Sequence, residues 1–281
     1  MHALALLAAL LAAPAAPSAP PPEGRTFETR TPGFGSVVVR HLGDTIGLDV
    51  LPDGEGSTLA PGLFVTIGLD KLWVFDREIG QLDQGHNRDR TAAAECARRC
   101  PASLFDAFQA EWLALAIEAT QRTTEIPSRV VIAAHNRLPA STLLETVYAL
   151  ASSRPIRPPE LALVLGSQGR GLRGQPFFVL PPQGLELGQG SAALGLQVHF
   201  GRTQWRIKAE DPQFVRELKA DSTARLTAAL RDVKKRFPSK SAIVLVPDET
   251  VSVGDLVATM LAVRAEFPLI VLSAGQDLIL P

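Results

Sequence analysis

Several short stretches contain residue types at spacings that could carry chemistry. Cys96 and Cys100 form a C-x3-C pair. In an oxidising compartment such a pair favours a local disulfide. On a helix, an i,i+4 pair has a workable Cα separation but awkward side-chain vectors. Pro101, directly behind, is expected to end any helix there. Free or intermolecular thiols and a metal site are the alternatives. Two thiolates fall short of the four ligands of a structural zinc. His86, Asp83 and Asp89 lie in the same stretch, but no metal is assigned to them. Gly169-Arg170-Gly171-Leu172-Arg173-Gly174 spells G-x-G-x-x-G. A dinucleotide site needs a helix to open directly behind that motif. Here Gln175-Pro176-Phe177-Phe178-Val179 reads as extended chain, so the stretch reads as a linker. Arg170 and Arg173 are then candidate contacts for an anionic partner.

The remaining candidates have plain explanations beside the sharper ones. Lys234-Lys235-Arg236, with Lys240 beyond, falls at a helix end, where cations suit the macrodipole. The sharper reading is contact with an anionic glycan or partner. His135-Asn136 closes a predicted strand and reads as turn chemistry, since nothing in the sequence nominates a nucleophile or orienting acid for it. His199 alternates with Val198 on a strand and reads as an exposed strand residue. No G-x-S-x-G, H-E-x-x-H or G-K-[ST] motif occurs, and Ser167 lacks nucleophile-elbow spacing. The expectation is therefore a protein that is not an enzyme, with no catalytic residue, cofactor or metal.

The elements that carry these residues must fit in 281 residues, enough for about two domains. The chain is 46% hydrophobic, which supports real cores. Lys+Arg total 28 against 29 Asp+Glu, for a net charge of −1. That balance argues against nucleic acid as a partner. Two cysteines rule out a disulfide-dense scaffold. The 22 Gly and 22 Pro imply long irregular connections.

Residues 3–13 form an apolar run too short to span a bilayer, which takes about 20 residues. Ala13-Pro14-Ala15 behind it has the A-x-A form of a signal-peptidase site. Residues 1–15 are thus expected to be an export signal and 16–48 a Pro-rich tether and lead-in. The alternative is an uncleaved tail or short anchor. No later stretch offers 18 uninterrupted apolar residues, so no membrane span is expected in the mature chain.

An internal repeat organises the rest. Gly62-Leu63-Phe64-Val65-Thr66-Ile67-Gly68 is answered by Gly195-Leu196-Gln197-Val198-His199-Phe200-Gly201, 133 residues later. Alternating Leu72, Val74 is answered by Trp205, Ile207. Val50-Leu51-Pro52 is answered by Val179-Leu180-Pro181, and Ile126-Pro127-Ser128-Arg129 by Phe237-Pro238-Ser239-Lys240. Helical stripes follow, with Phe105, Phe108, Trp112, Leu115 and Ala119 in one copy and Leu226, Leu230, Val233 and Phe237 in the other. β-branched runs at 130–134 and 242–246 suit buried strands. Thr142 to Glu145 and Ser252 to Asp255 have capping-box spacing at the start of a second helix in each copy. Leu161–Leu165 and Leu269–Leu272 close the two copies. The expected fold is α+β: two tandem ββαβαβ-type domains, each a small sheet covered by two helices, paired as a pseudo-dimer. Their bounds are 49–166, with an insertion near 83–103, and 178–281, joined by a linker at 167–177.

Each copy resembles the periplasmic domain of the ExbD/TolR family of biopolymer transport proteins. The resemblance rests on Leu51-Pro52, Leu63–Ile67, Pro127–His135, Leu143–Leu150 and Leu161–Leu165. In the second copy it rests on Leu180-Pro181, Leu196–Phe200, Pro238–Asp248, Leu256–Val263 and Leu269–Leu272. It implies an accessory or scaffolding role in an envelope transport or energy-transducing system, with a motor-type envelope complex or peptidoglycan as partner. It also implies residence in the periplasm. The family's transmembrane helix carries a proton-coupling carboxylate, whereas the first acid here is Glu23. The alternative is a secreted enzyme or small-ligand-binding protein that uses a cleft between the repeats.

Overall fold

The computed structural model describes residues 57–59, 62–97, 99–123, 126, 128–154, 159–168, 171–181, 185–186, 193–209, 217–276 and 278–279. The expected leader, the tether, Val50-Leu51-Pro52 and Arg170 lie outside the described residues.

The first half begins with β1 (Ser57–Thr58), β2 (Leu63–Ile67), β3 (Lys71–Val74), β4 (Arg77–Asp83) and β5 (His86–Asn87). It continues with α1 (Ala102–Arg122), β6 (Arg129–Ala134), α2 (Ala140–Ser153) and β7 (Glu160–Gln168). Next come β8 (Gly171–Val179) and β9 (Leu185–Glu186). The second half holds β10 (Ala193–Phe200), β11 (Trp205–Lys208), β12 (Leu218–Ala220), α3 (Thr223–Arg236) and β13 (Ala242–Pro247). It ends with α4 (Val253–Arg264), β14 (Leu269–Leu272) and β15 (Leu278–Ile279).

The expectation of two small tandem sheets is overturned. Among the described residues, thirteen strands form one mixed sheet ordered β12-β11-β10-β13-β14-β8-β7-β6-β2-β3-β4-β5, with β1 beside β8. β9 and β15 form a separate two-stranded sheet. Four helices complete the described chain, which is richer in sheet than a ββαβαβ pair. One apolar cluster runs through both halves, from Leu63 and Phe108 to Leu245 and Met260. Of the stretch 167–177, expected as a linker, residues 167–168 end β7 and residues 171–177 begin β8.

Within this sheet the halves share a connectivity. In the first, β2-β3-β4 is an antiparallel meander and β2-β6-β7 is parallel. In the second, β10-β11-β12 and β10-β13-β14 repeat those relations. Parallel neighbours need a crossover, and α1 to α4 supply them. The helices form where apolar residues recur at helical spacing. Phe105, Phe108, Trp112, Leu115 and Ala119 of α1 are all buried, as are Leu226, Leu230 and Val233 of α3. α4 starts with a full capping box between Ser252 and Asp255. α2 does not use Thr142 this way: it begins at Ala140 behind Pro139 with no side-chain cap.

The halves meet at their helix starts and along the sheet, among other contacts. At the helix starts, the Ala140 N–H donates to the Val251 carbonyl at 2.9 Å and the Val253 N–H donates to the Leu138 carbonyl at 2.7 Å. These bonds are reciprocal and flank an antiparallel bridge between Pro139 and Ser252. Each supplies an acceptor for a first-turn N–H that its own helix leaves without one. At the sheet, β8 runs antiparallel to β7 and parallel to β14.

β8 contains Gly and Pro, which usually weaken a strand. Their positions explain the tolerance. β1 pairs with β8 at Gly174 and Arg173, and β14 pairs with it at Phe178 and Val179. Pro176 lies between those two pairings, where neither β1 nor β14 is matched to it. Gly174 sits where a Cβ would come 2.4 Å from Leu59 Cδ1 and 2.5 Å from the Leu163 carbonyl oxygen. The last glycine of G-x-G-x-x-G thus sits where the backbones and Leu59 approach closely. Gly174→Ala should destabilise the fold by about 1–3 kcal/mol through overpacking, measured by urea unfolding.

Candidate functional site

A cleft of about 430 Å³ opens where the two halves face each other. One wall comes from the carboxyl ends of β13 and β14, at Pro247, Asp248 and Ala274. The other comes from α2 and from the segment before α1, with Glu145, Tyr148, Asp89 and Arg99 among its residues. The segment before α1 includes the disulfide: Cys96 and Cys100 are bonded, with Cα atoms 6.1 Å apart. Both cysteines are buried. They lie in a turn rather than on a helix, so the awkward vectors of a helical i,i+4 pair do not arise. Pro101 does not end a helix: it is the N-cap of α1.

Pro101 offers no side-chain acceptor to α1, and Asp89 fills that role from outside. Its Oδ2 accepts from the Ser103 N–H at 3.0 Å, and its Oδ1 accepts from the Thr91 N–H at 2.8 Å. A carboxylate at a helix N-terminus also faces the positive end of the macrodipole. Hydrogen bonds from the Ser103 side chain, then from the Thr91 and Ser103 backbones, hold Asp89 well below the usual carboxylate range.

Other polar groups of the cleft are also committed to the frame. Asn87 donates to Glu145, and Gln276 donates to the hydroxyl of buried Tyr148. Burial raises the Tyr148 pKa. Arg99 reaches across the halves and donates to the Ala274 carbonyl at 2.9 Å. Asp248 closes a turn by accepting from the Thr250 N–H at 2.8 Å and its hydroxyl at 2.6 Å. The cleft is thus a polar seam with both signs of charge, and its carboxylates are largely held by the protein itself. Among the described residues, no group of three or more His, Cys, Asp or Glu is placed to hold a metal ion.

The structure scatters the other residues singled out from the sequence. His135 is 8% exposed, and its Nδ1 accepts from the Arg137 N–H at 3.1 Å, closing the turn after β6. Burial, then the Arg137 charge, lowers its pKa. Arg173 lies on β8, opposite Gly166 of β7. Lys234 donates to the Lys240 carbonyl and sits 5.5 Å from the Phe267 ring centroid. Lys235 pairs with Asp232 at 3.1 Å, while Arg236 is exposed in the last turn of α3. Local contacts therefore account for Lys234 and Lys235. His199 is half-buried on β10 and contacts Gln197 at 3.0 Å. The cleft's working contacts, Asp89 to Ser103 and Arg99 to Ala274, have no motif. They join residues 14 and 175 apart in the chain.

Replacing both Cys96 and Cys100 by Ser should lower unfolding free energy by about 2 kcal/mol, the loop-closure value for so short a ring, as read from urea melts. A depressed carboxyl pKa stabilises the fold above the unfolded value near pH ~3.9, and that contribution is lost as pH falls through the folded value. Asp89→Asn should therefore flatten the acid limb of the stability curve below about pH 4, measured as melting temperature against pH. Compared with protein-family models, curated proteins and solved structures, the chain matches none.

Proposed function

We propose that this chain is a non-enzymatic, exported envelope protein. On this reading it is an accessory or scaffolding component of a biopolymer-transport or energy-transducing system, residing in the periplasm. Its partner is a motor-type envelope complex or peptidoglycan. The observation that carries the reading is the shared connectivity of the two halves, held face to face by the reciprocal bonds at Leu138–Ala140 and Val251–Val253. A contact that would otherwise form between two subunits can be kept within one chain, and it then persists at any concentration. Such a unit suits a rigid adaptor. The resemblance of both halves to ExbD/TolR periplasmic domains supplies the system in which the adaptor acts. Among the described residues no helix is long and apolar enough to cross a membrane.

A second reading is favoured by one observation, the cleft of about 430 Å³ between the halves. A volume of that size suits a small ligand, and inter-domain seams are common places for one. On that reading the protein binds a small polar molecule, or acts on it, between α2 and the ends of β13 and β14. Pull-down of the tagged full chain from cross-linked envelope fractions separates the two. The first reading expects motor-complex subunits or peptidoglycan fragments. Recovery of neither, together with a cleft-dependent small-molecule thermal shift, would replace it with the second.

A further inference from the structure

A second cavity, of about 950 Å³, lies at the far end of the second half, around the β10–β11 hairpin and the end of β12. Its floor includes a row of side chains on the sheet face away from the core. The register places Lys219 of β12 opposite Arg206 of β11, and Arg206 opposite His199 of β10. Their neighbours in each strand, Trp205, Ile207, Val198 and Phe200, are buried on the other face. Directly opposed residues on neighbouring strands stand about 5 Å apart, and like charges there are destabilising. Lys208, two positions from Arg206, adds another cation on the same face, and Glu217 beside it is a carboxylate that also acts on His199.

Neither Arg206 nor Lys219 has a hydrogen-bond or ion-pair partner among the described residues, although both are exposed at the cavity. Arg202 joins them from the hairpin. Its Nε donates to the Thr250 carbonyl at 2.9 Å, which fixes the arm. The carboxylates on the rim are already occupied: Asp221 pairs with Arg225 at 2.5 Å, and Asp248 holds Thr250. The corresponding row of the first half is Thr66, Trp73 and Glu78, with no cation in it. Folding of this topology therefore does not require the basic row. Two directly opposed cations, Arg206 and Lys219, beside a cavity of ligand size are a local cost that a bound anion would relieve.

We propose that this cavity is an anion-binding site for a phosphoryl-bearing ligand, with Arg206 and Lys219 as the principal contacts and Arg202 as a positioned third. Guanidinium groups match phosphate oxygens with paired N–H donors, and an ammonium adds a point charge. The site is distinct from the inter-half cleft and does not depend on the function proposed above.

The test is titration of the full chain with inorganic pyrophosphate at low salt, by calorimetry. In parallel, phosphatidylglycerol and phosphatidylcholine vesicles are used in co-sedimentation. Binding of pyrophosphate identifies a soluble phosphorylated ligand; selective binding of phosphatidylglycerol vesicles identifies a lipid headgroup. In either arm, Arg206→Gln and Lys219→Gln should each weaken binding at least about tenfold, the loss of one charged hydrogen bond. Their melting temperatures should equal or exceed that of the parent, because repulsion is relieved. Lys235→Gln, which removes a cation from α3, should bind as the parent does. Binding in neither arm would overturn the proposal. So would equal losses in Arg206→Gln and Lys235→Gln, which would mean that net charge and not this site is sensed.

Discussion

β7 and β14 are the last parallel strands of their halves, and they run in opposite directions. Left as edges, each would present unpaired N–H and C=O groups along one side. β8 lies between them and satisfies both, antiparallel on one side and parallel on the other. The larger architecture depends on this strand. With it in place, a six-stranded and a five-stranded arrangement become parts of one sheet. The α2 and α4 starts then meet closely enough to exchange backbone hydrogen bonds. The apolar core becomes continuous across the seam.

This joining sets where the cavities lie. The cleft forms because the carboxyl ends of β13 and β14 face α2 and the disulfide-held segment before α1. Arg99 spans it to the Ala274 carbonyl, so the inserted segment is tied to the other half. Asp89 serves the same segment from inside, by capping α1. The first half thus spends its insertion on the seam. The second half has no such insertion and instead presents its outer strands, with a row of basic residues, to a cavity of its own. Two halves of one connectivity have diverged in what they expose.

The helices and central strands were legible in the residue pattern, the single sheet they build was not, and the exceptions have physical reasons. The β-branched runs at 130–134 and 242–246 became β6 and β13 because both faces of a central parallel strand favour apolar residues. The stripe from Phe105 to Ala119 became α1 for the same kind of reason, a single buried face. Gln175–Val179 read as extended chain, but β8 as a strand joining the halves did not, because its Gly and Pro signal a break and only its neighbours reveal that Pro176 falls between two partners. β4 was missed because Arg77–Asp83 is mostly polar with Gly80 inside. Thr142 had capping spacing, yet Pro139 starts the helix earlier. The two expected sheets became one because nothing in a local pattern states which edges will meet.

The sites were less legible than the fold. The cysteine pair was visible because its partners are four residues apart. The basic row was not, because Lys219, Arg206 and His199 become neighbours only through strand register. The same holds for Arg99 and Ala274. Contacts that join distant segments carry the functional geometry, and they leave no spacing to read.

β8 fuses the halves into one cooperative body. Native-state hydrogen exchange tests it most directly, because it resolves the opening free energy of each segment. Amides of β7, β8 and β14 should exchange only through global unfolding, at one common free energy. If residues 193–272 instead opened as a separate unit, with β8 exchanging at a lower free energy than β6 and β13, the claim would be contradicted.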